Sequence, residues 1–307
     1  MSSKKLIAVV GATGAQGGFV VQALLEDGQF QVRGLTRNPD SPASKQLISQ
    51  GVEMVKCDID NPAELDRAFE GVYGVFSTTN TMESYKIHQP EHEITQGRNI
   101  ADAAKKANVK HFIHSSLLDS TALSNGKYRH IYHFSNKARI EEYVKELGLP
   151  VTVVMYGYYM SNATSGLLPM RTAADGTLEF LYPVPDDTQL APIHLKDAGK
   201  SVLKCFLNPE KTIGQTYYFA SNYMTIREFT DIFTKTTGRP TRAICLSAEE
   251  RSEVAPYNLA PLVEMYQFWH EFGYFAHADL KPTHEAFGDF VDLETYLRQE
   301  GYKGPAI

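Results

Sequence analysis

Two groups of residues in this chain have types and spacings that can do chemistry. The first is the run VVGATGAQGG at residues 9–18, where Gly11, Gly14 and Gly17 stand three apart behind the apolar stretch Leu6 to Val10. Glycines so spaced, after a strand and at the start of a helix, point backbone N–H groups and the positive helix end at a pyrophosphate. Gly11 permits the sharp turn, Gly14 lets a phosphate approach the backbone, and Gly17 lets helix and strand pack closely. Ala12, Thr13, Ala15 and Gln16 complete the loop, and the implied chemistry is dinucleotide binding. The second group is HFSNK at residues 133–137, where His133 and Lys137 stand four apart on one helical face. An imidazole can serve as a general acid near neutral pH.

Which dinucleotide is expected follows from the end of the second strand. An NAD site usually places an acidic residue there to bond the ribose 2′-hydroxyl. Here GLTRNPDSPASK sets Thr36, Arg37 and Asn38 at that spot. A guanidinium can grip a 2′-phosphate through two hydrogen bonds. Lys45 adds charge from the following helix and Asp40 offsets part of it. The expected cofactor is NADP(H). Asp58 and Ile59 close the third strand, where an adenine edge would lie, and Thr78, Thr79 and Asn80 end the fourth with short polar groups.

The elements that must position these residues alternate. Short β-branched runs at 6–10, 31–36, 53–57, 74–78, 111–116 and 151–155 are separated by helical stretches with one apolar stripe. Helix stops fall at Gly28, Gly51 and Gly71, and Ser41-Pro42 and Asn61-Pro62 read as starts. This pattern predicts an α/β fold with a Rossmann-type doubly wound parallel sheet. After about residue 156 the rhythm breaks into short strands, a helix capped at Thr225 and an aromatic-rich helical C-terminal stretch. The expected organisation is an NADP(H)-binding domain over residues 1–155 and a smaller mixed α/β lobe over 156–307, with a ligand crevice formed by that lobe.

Composition narrows the function classes. With 43% hydrophobic and 21% charged residues the chain is ordinary for a globular protein. A net charge of −6 and the lack of a basic stripe argue against direct DNA binding. The three cysteines, Cys57, Cys205 and Cys245, are far apart and predict neither a disulfide framework nor a zinc site. His88 and His92 have metal-ligand spacing, but Pro90 between them opposes the shared helix, so no metal is expected. The apolar run near the start is too short for a signal peptide and no stretch reaches bilayer length. A cytoplasmic location is expected, with the nucleus as a second compartment, and no membrane association.

The blocks GATGAQGG, VRGLTRNP, CDIDN, GVFSTTN and HFSNKARIEEYVKELGLPVTVVMYGYYMSN resemble the NmrA-like family, an atypical branch of the short-chain dehydrogenase/reductases. The likeness is stronger to the NADPH-sensing NmrA-like members than to the isoflavone-reductase branch. It implies cofactor contacts at Gly11 to Gly17, Arg37 and Asn38, Asp58 and Ile59, Thr79, Asn80 and Thr81, Lys137, and around Tyr159 to Asn162. Typical members of the wider superfamily use Tyr-x-x-x-Lys, in which the ammonium lowers the phenol pKa for proton transfer. This chain keeps Lys137 but has His133 at the tyrosine position, and Ser115 and Ser116 stand where the usual serine falls. Proton transfer therefore falls to His133, to Lys137 or to no group. Two functions stay open: a cofactor sensor or regulator working through a protein partner such as a transcription factor or signalling enzyme, and an NADPH-dependent reductase of a small carbonyl or unsaturated compound. A homodimer is compatible with either.

Overall fold

The computed structural model describes residues 4–255 and 259–304. The first half alternates as the sequence predicts: β1 (Lys5–Val9), α1 (Ala15–Asp27), β2 (Phe30–Thr36), α2 (Pro42–Ser49), β3 (Glu53–Lys56), α3 (Pro62–Ala68), β4 (Gly74–Ser77), α4 (Thr81–Lys86), α5 (His92–Lys106), β5 (His111–Ser116), α6 (Ser120–Leu123), α7 (Tyr132–Glu146) and β6 (Val151–Tyr156). Local chemistry sets several boundaries. Ser41 and Asn61 cap α2 and α3 by accepting hydrogen bonds from the N–H groups of Ser44 and Ala63, both at 3.2 Å, with proline in the first turn. Gly28 ends α1 in the left-handed conformation.

The strands form a mostly parallel seven-stranded sheet in the order Thr216–Phe219, β6, β5, β4, β1, β2, β3. From β1 the chain builds outward through β2 and β3, then returns to add β4 on the other side. That reversal between β1 and β4 opens the crevice at the carboxyl ends of the strands, where doubly wound sheets take ligands. Every residue of β4, β5 and β6 is buried, as expected where helices cover both faces. The seventh strand reads as a strand in sequence, but its place at the sheet edge depends on pairing across some 60 residues.

The chain divides into two compact units, each drawn from separate stretches. The first comprises residues 1–119, 132–155 and 198–217. The second comprises residues 120–131, 156–197 and 218–307. Within the second, Leu178–Tyr182 is the fully buried middle strand of a three-stranded sheet, parallel to Thr241–Cys245 and antiparallel to Met170–Thr172. The helix Ile226–Thr237 covers this sheet and opens with a reciprocal cap between Thr225 and Glu228. Phe180, Phe229 and Phe233 meet there with ring centroids 4.8–6.4 Å apart. Each such buried ring contributes roughly 1.5–3 kcal/mol of transfer free energy. Tyr266, Phe268, Trp269, Tyr274 and Phe275 of the aromatic segment read from the sequence are buried within the second unit.

Candidate functional site

The glycine loop joins β1 to α1 as its spacing predicts. Gly11 has φ +69°, a conformation that side chains with a Cβ rarely adopt. A Cβ on Gly17 would lie 2.1 Å from the carbonyl oxygen of Gly11, so only glycine lets the helix start this close to the strand. Gly14 is the N-cap of α1, and no side chain caps that helix end. The first N–H groups of a thirteen-residue helix are thus left without a side-chain acceptor, beside the exposed Thr13, Gly14 and Ala15. Ala12 and Gly17 are buried and Gln16 is half-buried. A diphosphate fits this cradle through main-chain donors and the helix dipole.

At the end of β2, Arg37 is exposed and forms an ion pair with Glu83 of α4 at 2.5 Å. The acid that meets Arg37 is therefore Glu83, 46 residues away in sequence, and no bond joins it to the nearby Asp40 of the expectation. Asn38 holds the following turn: its Oδ1 accepts from the N–H of Asp40 at 3.0 Å and its carbonyl from Ser44 Oγ at 2.9 Å. Past β3, the N–H of Asp58 donates to Glu64 Oε2 at 2.8 Å, and the carbonyl of Ile59 accepts from Asn99 Nδ2 at 3.1 Å. These residues lie at the carboxyl ends of neighbouring strands. Asn80 is exposed just after β4, and its carbonyl accepts from the N–H of Glu83 at 3.1 Å, in the first turn of α4.

Lys137 lies on α7, and its ammonium is almost fully enclosed. It pairs with Glu93 of α5 and donates to Thr79 Oγ1 at 2.9 Å and to the Thr79 carbonyl at 3.3 Å, with Thr81 Oγ1 at 3.4 Å. Glu93 is completely buried, and its Oε1 also accepts from Thr79 Oγ1 at 2.6 Å and Thr81 Oγ1 at 2.9 Å. Burial by itself would raise the Glu93 carboxyl, but the Lys137 charge and the bonds from Lys137, Thr79 and Thr81 hold it below the ordinary carboxylate range. The expected residues Thr79, Thr81 and Lys137 are thus brought together around a carboxylate that motif reasoning missed. A signal was present: Glu93 shares the buried face of α5 with Gln96, Gly97, Ile100 and Ala104, so a charged group sits in an otherwise enclosed stripe.

His133 lies one turn before Lys137 and is half-buried. Desolvation, then the Lys137 ammonium, pushes it down to about 4, with Glu93 opposing. His114 of β5 is fully buried and also pushed down to about 4, chiefly by burial. Its Nε2 lies 3.4 Å from the Lys137 carbonyl. Ser115 and Ser116 end β5 and are both buried. The remaining expected contacts, Tyr159 and Asn162, belong to the second unit: Tyr159 pairs in register with Ile193, and Asn162 sits in the short helix Ser161–Thr164. His88 takes a left-handed turn conformation while His92 begins α5 and meets Asp60, so the two do not share a helix. Among the described residues no group of acidic, histidine or cysteine side chains could hold a metal, and no helix is long and apolar enough to cross a membrane.

A sequence model of the NmrA-like family matches residues 3–298. The chain belongs to the NmrA-like family. An NmrA-like family domain-containing protein of Dictyostelium discoideum is 30% identical over 98% of this chain and 99% of its own length. An NmrA-like family domain-containing oxidoreductase, FrzB of Cladobotryum sp., is 33% identical over 77% of this chain and 75% of its own. Among solved structures, NmrA, a negative transcriptional regulator in complex with NADP, superimposes with a TM-score of 0.81 at 25% identity, covering 96% of this chain and 95% of that one.

Proposed function

We propose that this NmrA-like protein binds NADP(H) in its first unit and acts as a cofactor-responsive regulator through protein partners, with little or no hydride transfer. The glycine cradle and uncapped helix end would hold the diphosphate, Arg37 the 2′-phosphate, and Lys137 with Thr79 the nicotinamide ribose hydroxyls. When bound, the dinucleotide supplies a hydride donor or acceptor. Neither Lys137 nor His133 is a ready proton donor to go with it. The observation that carries the reading is the state of Lys137 and His133. The Lys137 ammonium is paired with the buried Glu93 carboxylate, with the Thr79 hydroxyl and carbonyl and the Thr81 hydroxyl within 3.4 Å, so giving up its proton would strand that carboxylate. An imidazole held well below its ordinary value by desolvation and the Lys137 charge is mostly in its neutral form at pH 7. General acid help is worth roughly 10²–10⁴-fold, so its absence leaves slow turnover at most.

Two measurements test this. Calorimetric titration should show tighter binding of NADP(H) than NAD(H), and Arg37→Ala should remove about tenfold or more of that preference, the range for a charge-assisted bond. Equal affinities for the two dinucleotides would remove the assignment of Arg37. An NADPH oxidation screen over carbonyl and enone compounds should give rates well below the common ~1–10³ s⁻¹ range. The second reading, a reductase using Lys137 or His133 as proton donor, is favoured by the oxidoreductase name of the Cladobotryum relative. Brisk turnover that collapses in His133→Ala would establish it in place of the regulator.

A further inference from the structure

Glu93 is the charged group nearest Lys137, and no sequence motif singles it out. Three donors converge on its Oε1: the Lys137 ammonium, Thr79 Oγ1 at 2.6 Å and Thr81 Oγ1 at 2.9 Å. Its other oxygen, Oε2, is buried and accepts no hydrogen bond from the described residues. Lys137 is thus the cation to which this carboxylate answers. A buried charge of either sign is expensive alone, and the two together present a nearly neutral unit to whatever lies beside them.

The oxidised nicotinamide ring carries a formal positive charge and the reduced ring carries none. A bare ammonium at the ribose would repel the first form and leave the second almost untouched. We propose that Glu93, by cancelling the charge of Lys137, sets the relative affinity of this protein for oxidised and reduced dinucleotide. The inference rests on the cofactor reading above and adds to it a residue that controls which redox form is held. Charges a few ångströms apart in a partly dried site change affinity by roughly ten- to a hundredfold, so the effect is large enough to measure. Thr79 and Thr81 serve here as positioning residues, since their hydroxyls fix the carboxylate oxygen that faces the ammonium.

The experiment is a double-variant cycle read by calorimetry with NADP⁺ and NADPH as separate titrants. Glu93→Gln keeps an acceptor for both threonines but removes the charge. It should weaken NADP⁺ relative to NADPH by about tenfold or more. Lys137→Met leaves the carboxylate uncancelled and should move the ratio the opposite way, whatever it does to both affinities in common. The double variant should return the ratio to within about threefold of the wild type, because charges that cancel in pairs leave no net preference. Glu93→Asp retains the charge but withdraws it by one methylene, and should shift the ratio in the direction of Glu93→Gln by less; it decides the matter if the glutamine variant does not fold. Equal weakening of both redox forms in the single variants, or shifts of the same sign, would overturn the inference and leave the cofactor reading standing. Failure of the wild type to bind either form would overturn both.

Discussion

Lys137 in the first unit and Lys127 in the second each meet a glutamate, and each shares that glutamate with a hydroxyl group. Lys137 pairs with Glu93 at side-chain exposures of 10% and 0%, while Lys127 pairs with Glu271 at 58% and 40%. Thr79 and Thr81 complete the first cluster, and Tyr128 completes the second through a 2.7 Å bond to Glu271. The chemistry of the pairs is the same and their surroundings are opposite. In the first unit water cannot take the place of a missing partner, so each charge depends on the other. In the second, solvent screens both charges and either can leave without stranding its mate. Titratable groups placed in the way of the first pair are candidates for function, since their environment is maintained against a desolvation cost.

The largest expected effect follows from breaking the buried pair. Glu93→Ala leaves the Lys137 ammonium enclosed without its carboxylate and removes the acceptor of two threonine hydroxyls. A loss of about 3–5 kcal/mol of stability is expected, the usual range for stranding one member of a buried ion pair. Urea denaturation of the wild type and the variant measures it. A loss under about 1 kcal/mol would mean that water reaches Lys137, and the contrast between the two pairs would disappear.

This pair also marks where sequence reading succeeds and where it stops. The glycine loop, the caps at Ser41 and Asn61 and the six parallel strands are legible because local chemistry dictates them: a turn needing φ > 0, an N–H needing an acceptor, a run of β-branched residues. Lys137 is legible through its four-residue spacing from the position usually held by tyrosine. Glu93 is legible only as a charge on the apolar stripe of α5 and not as the mate of Lys137, because a glutamate on a helix ordinarily faces water and its partner lies 44 residues further along. The Arg37–Glu83 contact escaped for the same reason: an ion pair across 46 residues leaves no mark on the local pattern, whereas Asp40 is a near neighbour in sequence. The helix Leu195–Leu207 is evident as a helix, yet an amphipathic stripe carries no address, and the assignment of residues 198–217 to the first unit comes only from tertiary packing.

A more gradual effect, spread over pH, sharpens the same comparison. His111 and His114 of β5 are fully buried. Burial pushes each down to about 4, helped by the Lys5 charge at His111 and opposed by Glu141 at His114. An unfolded histidine titrates near 6.5, so between about 6.5 and 4 the unfolded chain binds protons that the folded chain refuses. The stability these groups contribute is complete above about pH 6.5 and is lost as the pH falls toward 4, at about 1.4 kcal/mol per pH unit for each histidine. Glu93, held below the ordinary carboxylate range, adds its own loss only at lower pH. Urea midpoints at pH 7.5, 6 and 5 should fall steadily, and His111→Gln should reduce the slope by about a third, because His133 is pushed down to about 4 alongside His111 and His114. A flat profile over that range would show that β5 admits protons and water.

The smallest effect is expected at the exposed pair, and it completes the contrast. Lys127→Ala removes the cation, but Glu271 keeps the Tyr128 hydroxyl as a donor at 2.7 Å and has solvent around it. The variant exchanges an ion pair held by two flexible side chains for hydration of one carboxylate, and the entropy regained by Glu271 offsets the lost attraction. No measurable change in the urea midpoint is expected at physiological salt. At low salt, where screening is weaker, a slight loss should emerge and then vanish as salt is added. The outcome that would break the comparison is a loss as large as that of Glu93→Ala and insensitive to salt. In that case the Lys127–Glu271 pair would be shielded from solvent in the working protein, and its exposed setting would have to be covered by something that binds there.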